Sequence, residues 1–138
     1  MTALRDLFVA QAETREGPLR ERIEAITRTY LASFAADDLD ARLALFAPDA
    51  AFEDPVGTAA MVGHDALRAF YGSVGTMPTN ARLLRLSVNG NEAAMLFEVT
   101  IFGGDAGDAT VSVIETMEVG EDGLIRRLRA YWDRNSIT

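Results

Sequence analysis

Val111-Ser112-Val113-Ile114-Glu115-Thr116-Met117 is the stretch on which the reading of this chain turns. Its alternation reads as a β-strand, and period two puts Val111, Val113, Glu115 and Met117 on one face. Three of those four are apolar, so the face belongs to the core. Glu115 on it costs free energy unless it is neutral or paired, and Arg126 is one possible buried partner. Upstream, residues 93–102 are nearly all apolar, as in a central strand. Before them, Asn89-Gly90-Asn91 is a hairpin signal leading back to a strand where Leu84, Leu86 and Val88 alternate. Residues 103–107 turn into the Glu115 strand, and Glu121-Asp122-Gly123 turns out of it. The last strand, 124–132, carries Leu128, Ala130 and Trp132 on one face and Arg127, Arg129 and Tyr131 on the other.

The first half of the chain has the helical period instead. Residues 2–13 suit an amphipathic helix with Leu4, Leu7, Phe8 and Gln11 along one side. Gly17-Pro18 breaks it, with Pro18 in the first turn of the next helix. Leu19, Ile23, Ile26, Tyr30 and Phe34 then recur at helical spacing, which puts Tyr30 on a buried face. Asp37-Asp38 caps a short helix carrying Leu39, Leu43 and Phe46. A helix bearing Leu67, Phe70 and Tyr71 follows a loop at residues 57–63. Helices first and a meander of strands afterwards predict an α+β fold: a curved antiparallel sheet with about three helices on one face, enclosing a conical cavity. Residues 1–17 read as a helical extension and 18–138 as a single domain.

A second acid stands out in Ala50-Ala51-Phe52-Glu53-Asp54-Pro55-Val56-Gly57, where alternation aligns Asp54 with Ala50 and Phe52. Two acids on the inward faces of separate strands suggest a pocket for proton chemistry, because unequal surroundings separate an acid from a base. Taken singly, each group has a plainer reading. Tyr30 could be a core tyrosine with a satisfied hydroxyl, Asp54 a turn cap before proline, and Trp132 and Phe46 core or cavity lining. His64, the only histidine, reads as a solvated loop residue.

Bulk properties narrow the classes. With 138 residues the chain suits one domain, and 49% hydrophobic with 25% charged residues is ordinary for a globular protein. A formal net charge of −8 disfavours nucleic acid and anionic membranes as partners. Cysteine is absent, which excludes disulfides, thiolate catalysis and cysteine-bound metal. No apolar run approaches a membrane span and no secretory leader is evident, so a cytoplasmic protein is expected.

This order of elements resembles the ketosteroid isomerase branch of the nuclear-transport-factor-2-like, or SnoaL-like, superfamily over residues 26–137. The segment from Phe46 to Gly57 is similar to the family's general-base segment. Gly63 with Ala69-Phe70-Tyr71 is similar to its third helix, Val113-Ile114-Glu115 with Met117 to its oxyanion strand, and Arg129-Ala130-Tyr131-Trp132 to its final strand. The resemblance implies a cone-shaped fold and a steroid Δ-isomerase activity without metal or organic cofactor. Asp54 falls on the general base, Tyr30 on the tyrosine that hydrogen-bonds the carbonyl oxygen, and Glu115 on a second donor that is normally a protonated aspartic acid. Phe46, Tyr71, Met117 and Trp132 are the expected substrate-binding residues. Two positions depart from the pattern: Glu115 is one methylene longer than the usual aspartate, and Phe46 replaces a tyrosine found in some members. The implied partners are a small, hydrophobic, steroid-like molecule and a second copy of the chain in a homodimer. Two other functions suit the same fold: a polyketide cyclase or dehydratase, which commonly relies on histidine, and a non-catalytic binder of a hydrophobic ligand.

Overall fold

Ile23, Ile26 and Tyr30 lie along one side of a single helix and are almost wholly shielded from water, so this stripe anchors the helical layer to the sheet. The computed structural model describes residues 3–74 and 77–138; the expected helix start at Thr2 lies outside them. The helices are α1 (Leu4–Glu13), α2 (Arg20–Ala36), α3 (Leu39–Leu43) and α4 (His64–Val74). The strands are β1 (Phe46–Glu53), β2 (Met61–Val62), β3 (Thr79–Asn89), β4 (Glu92–Ile101), β5 (Ala109–Val119) and β6 (Ile125–Tyr131). The fold is α+β. No helix among the described residues is long and apolar enough to cross a membrane.

One curved, unclosed sheet runs in the order β2-β1-β6-β5-β4-β3. The meander from β3 to β6 is antiparallel throughout, since short turns such as Gly90-Asn91 can only reverse the chain. The expectation of an antiparallel sheet needs one correction. β1 pairs with β6 in parallel, Phe52 opposite Leu128, so the sheet is mixed. No hairpin joins those two strands; a whole meander and α4 intervene, and this long connection leaves their relative direction free. A register shift between Leu83 and Arg85 breaks the expected alternation in β3 and leaves Leu84 exposed.

The core lies between the sheet's inward face and helices α2 to α4. Phe46, Phe52, Phe97, Leu67, Ile125 and Leu128 fill it, each essentially inaccessible to water. Burying an aliphatic or aromatic side chain of this size contributes about 1.5–3 kcal/mol, so these contacts dominate the layer's stability. Asp37 takes the left-handed conformation that stops α2, and the Asp38 carboxylate accepts from the Ala41 amide to start α3. α1 is different: none of its residues is buried, and Leu4 and Phe8 are each 68% exposed. The following segment ties back through the Gly90 amide, which donates to the Arg15 carbonyl at 2.7 Å.

Two surface expectations are also corrected. His64 begins α4 instead of sitting in a loop, and it is half-buried with Nε2 2.9 Å from the Phe46 carbonyl. Trp132 does not continue the buried row of Leu128 and Ala130; it follows the end of β6 and is 36% exposed.

Candidate active site

Glu115 sits in the middle of β5, opposite Met95 on β4 and Ala130 on β6, and only 2% of it is exposed. Its Oε1 is buried with no hydrogen-bond partner among the described residues. Arg126 does not reach it, pairing instead with Glu118 at 2.8 Å on the outer face. The carboxyl therefore meets its burial by staying protonated. Its pKa is pushed up to about 8, first by burial and then by the charge of Asp54, with the nearby Tyr30 hydroxyl pulling the other way.

Tyr30 reaches the same place from α2. Its hydroxyl lies 3.1 Å from that of Tyr71 on α4, and both rings are buried. Tyr30 is wedged by edge contacts with Phe34 and Phe97, at centroid distances of 5.3 and 6.4 Å, which fix the direction of the hydroxyl. Burial above all, then the Glu115 charge, raises both phenols above their ordinary range, so both keep their protons at neutral pH.

Asp54 follows β1 directly, where the chain leaves the sheet beside β6, and the Val56 amide donates to the Ala130 carbonyl at 2.8 Å. Its carboxylate accepts from the Trp132 indole N–H. Burial raises its pKa while that indole bond lowers it, so the group is partly shielded and partly held in its charged form. Glu53, the neighbouring acid, faces the other way and lies 3.3 Å from Arg129 Nε.

These side chains converge on one cavity of about 320 Å³, within the roughly 300–1,000 Å³ common for small-ligand sites. Tyr30, Tyr71, Asp54, Glu115 and Trp132 supply its polar groups, and Phe34, Phe70, Phe97, Val99 and Val113 are among its apolar walls. Phe46 and Met117 are not on this wall; both are packed in the core, 1% and 3% exposed. Phe34, Phe97 and Val99 were not singled out in the sequence, though Phe34 shares the helical stripe of Tyr30. Among the described residues, no three His, Asp or Glu side chains gather closely enough to hold a metal ion.

A SnoaL-like domain model matches residues 27–128, most of the chain. The chain belongs to the SnoaL-like family. A steroid Δ-isomerase from Nocardioides simplex is similar to this SnoaL-like chain, 37% identical over 110 residues, covering 80% of the chain and 89% of that enzyme. The epoxide hydrolase LasB from Streptomyces lasalocidi is 34% identical over 111 residues, 75% of the chain but 38% of that longer protein. Among solved structures, an epoxide hydrolase/cyclase-like enzyme of pyran ring formation in the polyether salinomycin superposes with a TM-score of 0.79. It is 22% identical, over 87% of this chain and 96% of that one. A Mycobacterium tuberculosis protein in complex with estradiol-17β-hemisuccinate gives 0.75 at 23% identity, over 85% and 98%. The two superpositions establish the cone-like SnoaL fold, and the isomerase relative supports the ketosteroid isomerase branch.

Proposed function

We propose that this protein is a cofactor-independent isomerase that moves a C=C bond from the β,γ to the α,β position of a 3-ketosteroid-like ketone. The observation that carries the reading is the buried Glu115 carboxyl, its Oε1 unpartnered among the described residues, on the same cavity as Tyr30, with Asp54, bonded to the Trp132 indole, also on its wall. Asp54 as carboxylate removes a proton from the carbon between carbonyl and alkene. The C–H electrons form a new C=C bond and push the carbonyl electrons onto oxygen, giving a dienolate. Tyr30 and protonated Glu115 donate hydrogen bonds to that oxygen, and Tyr71 donates to Tyr30 so that the Tyr30 proton stays available to the ligand. Asp54 then delivers its proton to the γ-carbon, the carbonyl re-forms, and the alkene ends in conjugation.

The energetics favour this division of labour. Donors already aimed in a dry cavity need no reorganisation when the charge develops, and one such donor is worth about 2.7–4 kcal/mol. A neutral carboxylic acid can donate where a carboxylate cannot, and the burial of Glu115 supplies the neutral form below about pH 8. Addition of a β,γ-unsaturated 3-ketosteroid should produce conjugated-enone ultraviolet absorbance; its absence with the wild-type protein sinks the isomerase reading.

Epoxide opening is the second reading, favoured by the named activities of two relatives. The same pair would serve: Asp54 activating water or a substrate hydroxyl, Glu115 protonating the epoxide oxygen. Product analysis with an apolar epoxide distinguishes the two. A homodimer formed through the outer sheet face is also expected, where Ile114 and Tyr131 are 53% and 40% exposed. Light scattering behind size exclusion checks it.

A further inference from the structure

A second cavity of about 420 Å³ adjoins the first, and Phe34, Tyr71, Val99 and Ile101 line both. Its wall carries Arg42 from α3, a residue only 6% exposed. The Arg42 guanidinium carbon lies over the Phe34 ring at 4.0 Å from its centroid and over the Tyr71 ring at 4.6 Å, two rings that also line the first cavity. Its Nε donates to Ser33 Oγ at 2.8 Å, and Ser33 donates onward to the Tyr30 carbonyl at 2.6 Å. Nothing comparable is found for the outer nitrogens: among the described residues Arg42 has no carboxylate within 4.0 Å. The nearby acids are employed elsewhere or stand apart. Asp38 caps α3, Asp40 pairs with Arg68 at 2.8 Å, and Asp37 shares the cavity wall without pairing.

Only Nε of this enclosed cation is bonded to protein among the described residues, and the outer nitrogens open onto the cavity, where an apolar side chain would pack more cheaply unless a partner meets them. Held over two rings with Nε bonded to Ser33, the guanidinium keeps its outer edge free, a fork that matches a carboxylate. We propose that Arg42 makes the second cavity an anion subsite, and that the ligand is an apolar ketone with a carboxylate at its far end. The ring system would lie against Tyr30 and Asp54 and run along Val99 and Ile101 until the acid meets Arg42. The substrate class is thereby an acidic ketone, which rests on the site proposed above and narrows it.

The test needs no turnover. Trp132, the only tryptophan, lines the first cavity, so its fluorescence reports binding there. The probes are a saturated 3-ketosteroid whose side chain ends in a carboxylic acid, and the methyl ester of that acid. Wild type should bind the acid at least about tenfold more tightly than the ester, as a charge-assisted hydrogen bond allows. Arg42→Met should bring the two within about twofold, and Arg42→Lys should keep part of the preference. Equal wild-type affinities overturn the proposal whatever the variants do. So does an equal loss for both probes in Arg42→Met, which would mean that Arg42 acts through Tyr71. An intact preference for the acid without enone formation from a β,γ-unsaturated ketone would sink the isomerase reading alone.

Discussion

The floor and the edge of the cavity each hold one acid, and the two environments suit them to the opposite tasks proposed for them. On the floor, Glu115 is surrounded by Val113, Met117 and Ala130, with Oε1 unpartnered and its pKa near 8. At the edge, Asp54 sits where a strand ends, and an indole N–H bonds its carboxylate. Burial raises both, and each has one donor that favours its charged form, Trp132 for Asp54 and Tyr30 for Glu115; Glu115 is the more deeply buried and also feels the charge of Asp54, so its pKa is pushed up to about 8. The proposed mechanism uses this difference, asking one pocket for a neutral donor and an ionised base at the same pH, which a symmetrical pair of carboxylates could not supply. The sharpest way to break the contrast is at the base. Asp54→Asn should lower kcat by about 10²–10⁴-fold while ligand binding survives, followed by enone absorbance and Trp132 fluorescence. A variant that keeps most of its activity would place the base elsewhere.

Removing the floor's donor should cost somewhat less. Glu115→Ala is expected to reduce kcat by about 10²–10³-fold, the loss typical of one oxyanion donor. Glu115→Gln keeps a donor that cannot ionise, so it separates the charge from the hydrogen bond. In wild type, kcat/KM should rise through the Asp54 titration and fall as Glu115 ionises near pH 8, whereas in Glu115→Gln the falling limb disappears. Tyr30 does not supply a substitute limb, because burial keeps its hydroxyl protonated well above that range.

The same titration must appear in stability. Between the ordinary value of 4.5 and the folded value of about 8, native Glu115 retains a proton that the unfolded chain has released. Stability is then fully present below pH 4.5 and is lost as pH rises through this window, by up to roughly 1.4 kcal/mol per pH unit. Denaturant midpoints should show Glu115→Gln gaining on wild type from pH 5 to pH 8. A constant difference between the two would mean that Glu115 is not protonated in the folded state.

Periodicity made the floor readable and the edge only in part. Glu115 was visible because period two places it among valines, and Tyr30 because period 3.6 places it below Ile23 and Ile26. Helical and strand repeats describe what one element buries, and both residues lie well inside their elements. Alternation carried Asp54 onto the face of Ala50 and Phe52, but Trp132 lies just beyond the end of β6, where alternation no longer fixes direction. Their contact also depends on the parallel pairing of two strands far apart in sequence, which no local signal encodes. The same limit hid Arg42: in a five-residue helix, its spacing from Leu39 suggested nothing about the rings above it, which come from α2 and α4. The bulge at Leu84 escaped for a different reason, since an extra residue cancels the alternation by which a strand is recognised.

The edge can be tested more finely through Trp132. The indole is the one side-chain donor bonded to the Asp54 carboxylate among the described residues, and it lowers a pKa that burial raises. Trp132→Phe keeps an aromatic wall and removes that donor. Desolvation then acts unopposed, the carboxylate is harder to form, and the rising limb of the pH–rate profile moves to higher pH. At neutral pH the fall in kcat/KM should be about tenfold, the lower end of the worth of one hydrogen bond to a charged group, and it should vanish as pH approaches 8. The high-pH limb belongs to Glu115 and should not move. If Trp132→Phe instead lowered activity equally at every pH, the indole would be holding the substrate and not tuning the base, and the contrast between floor and edge would rest on burial alone.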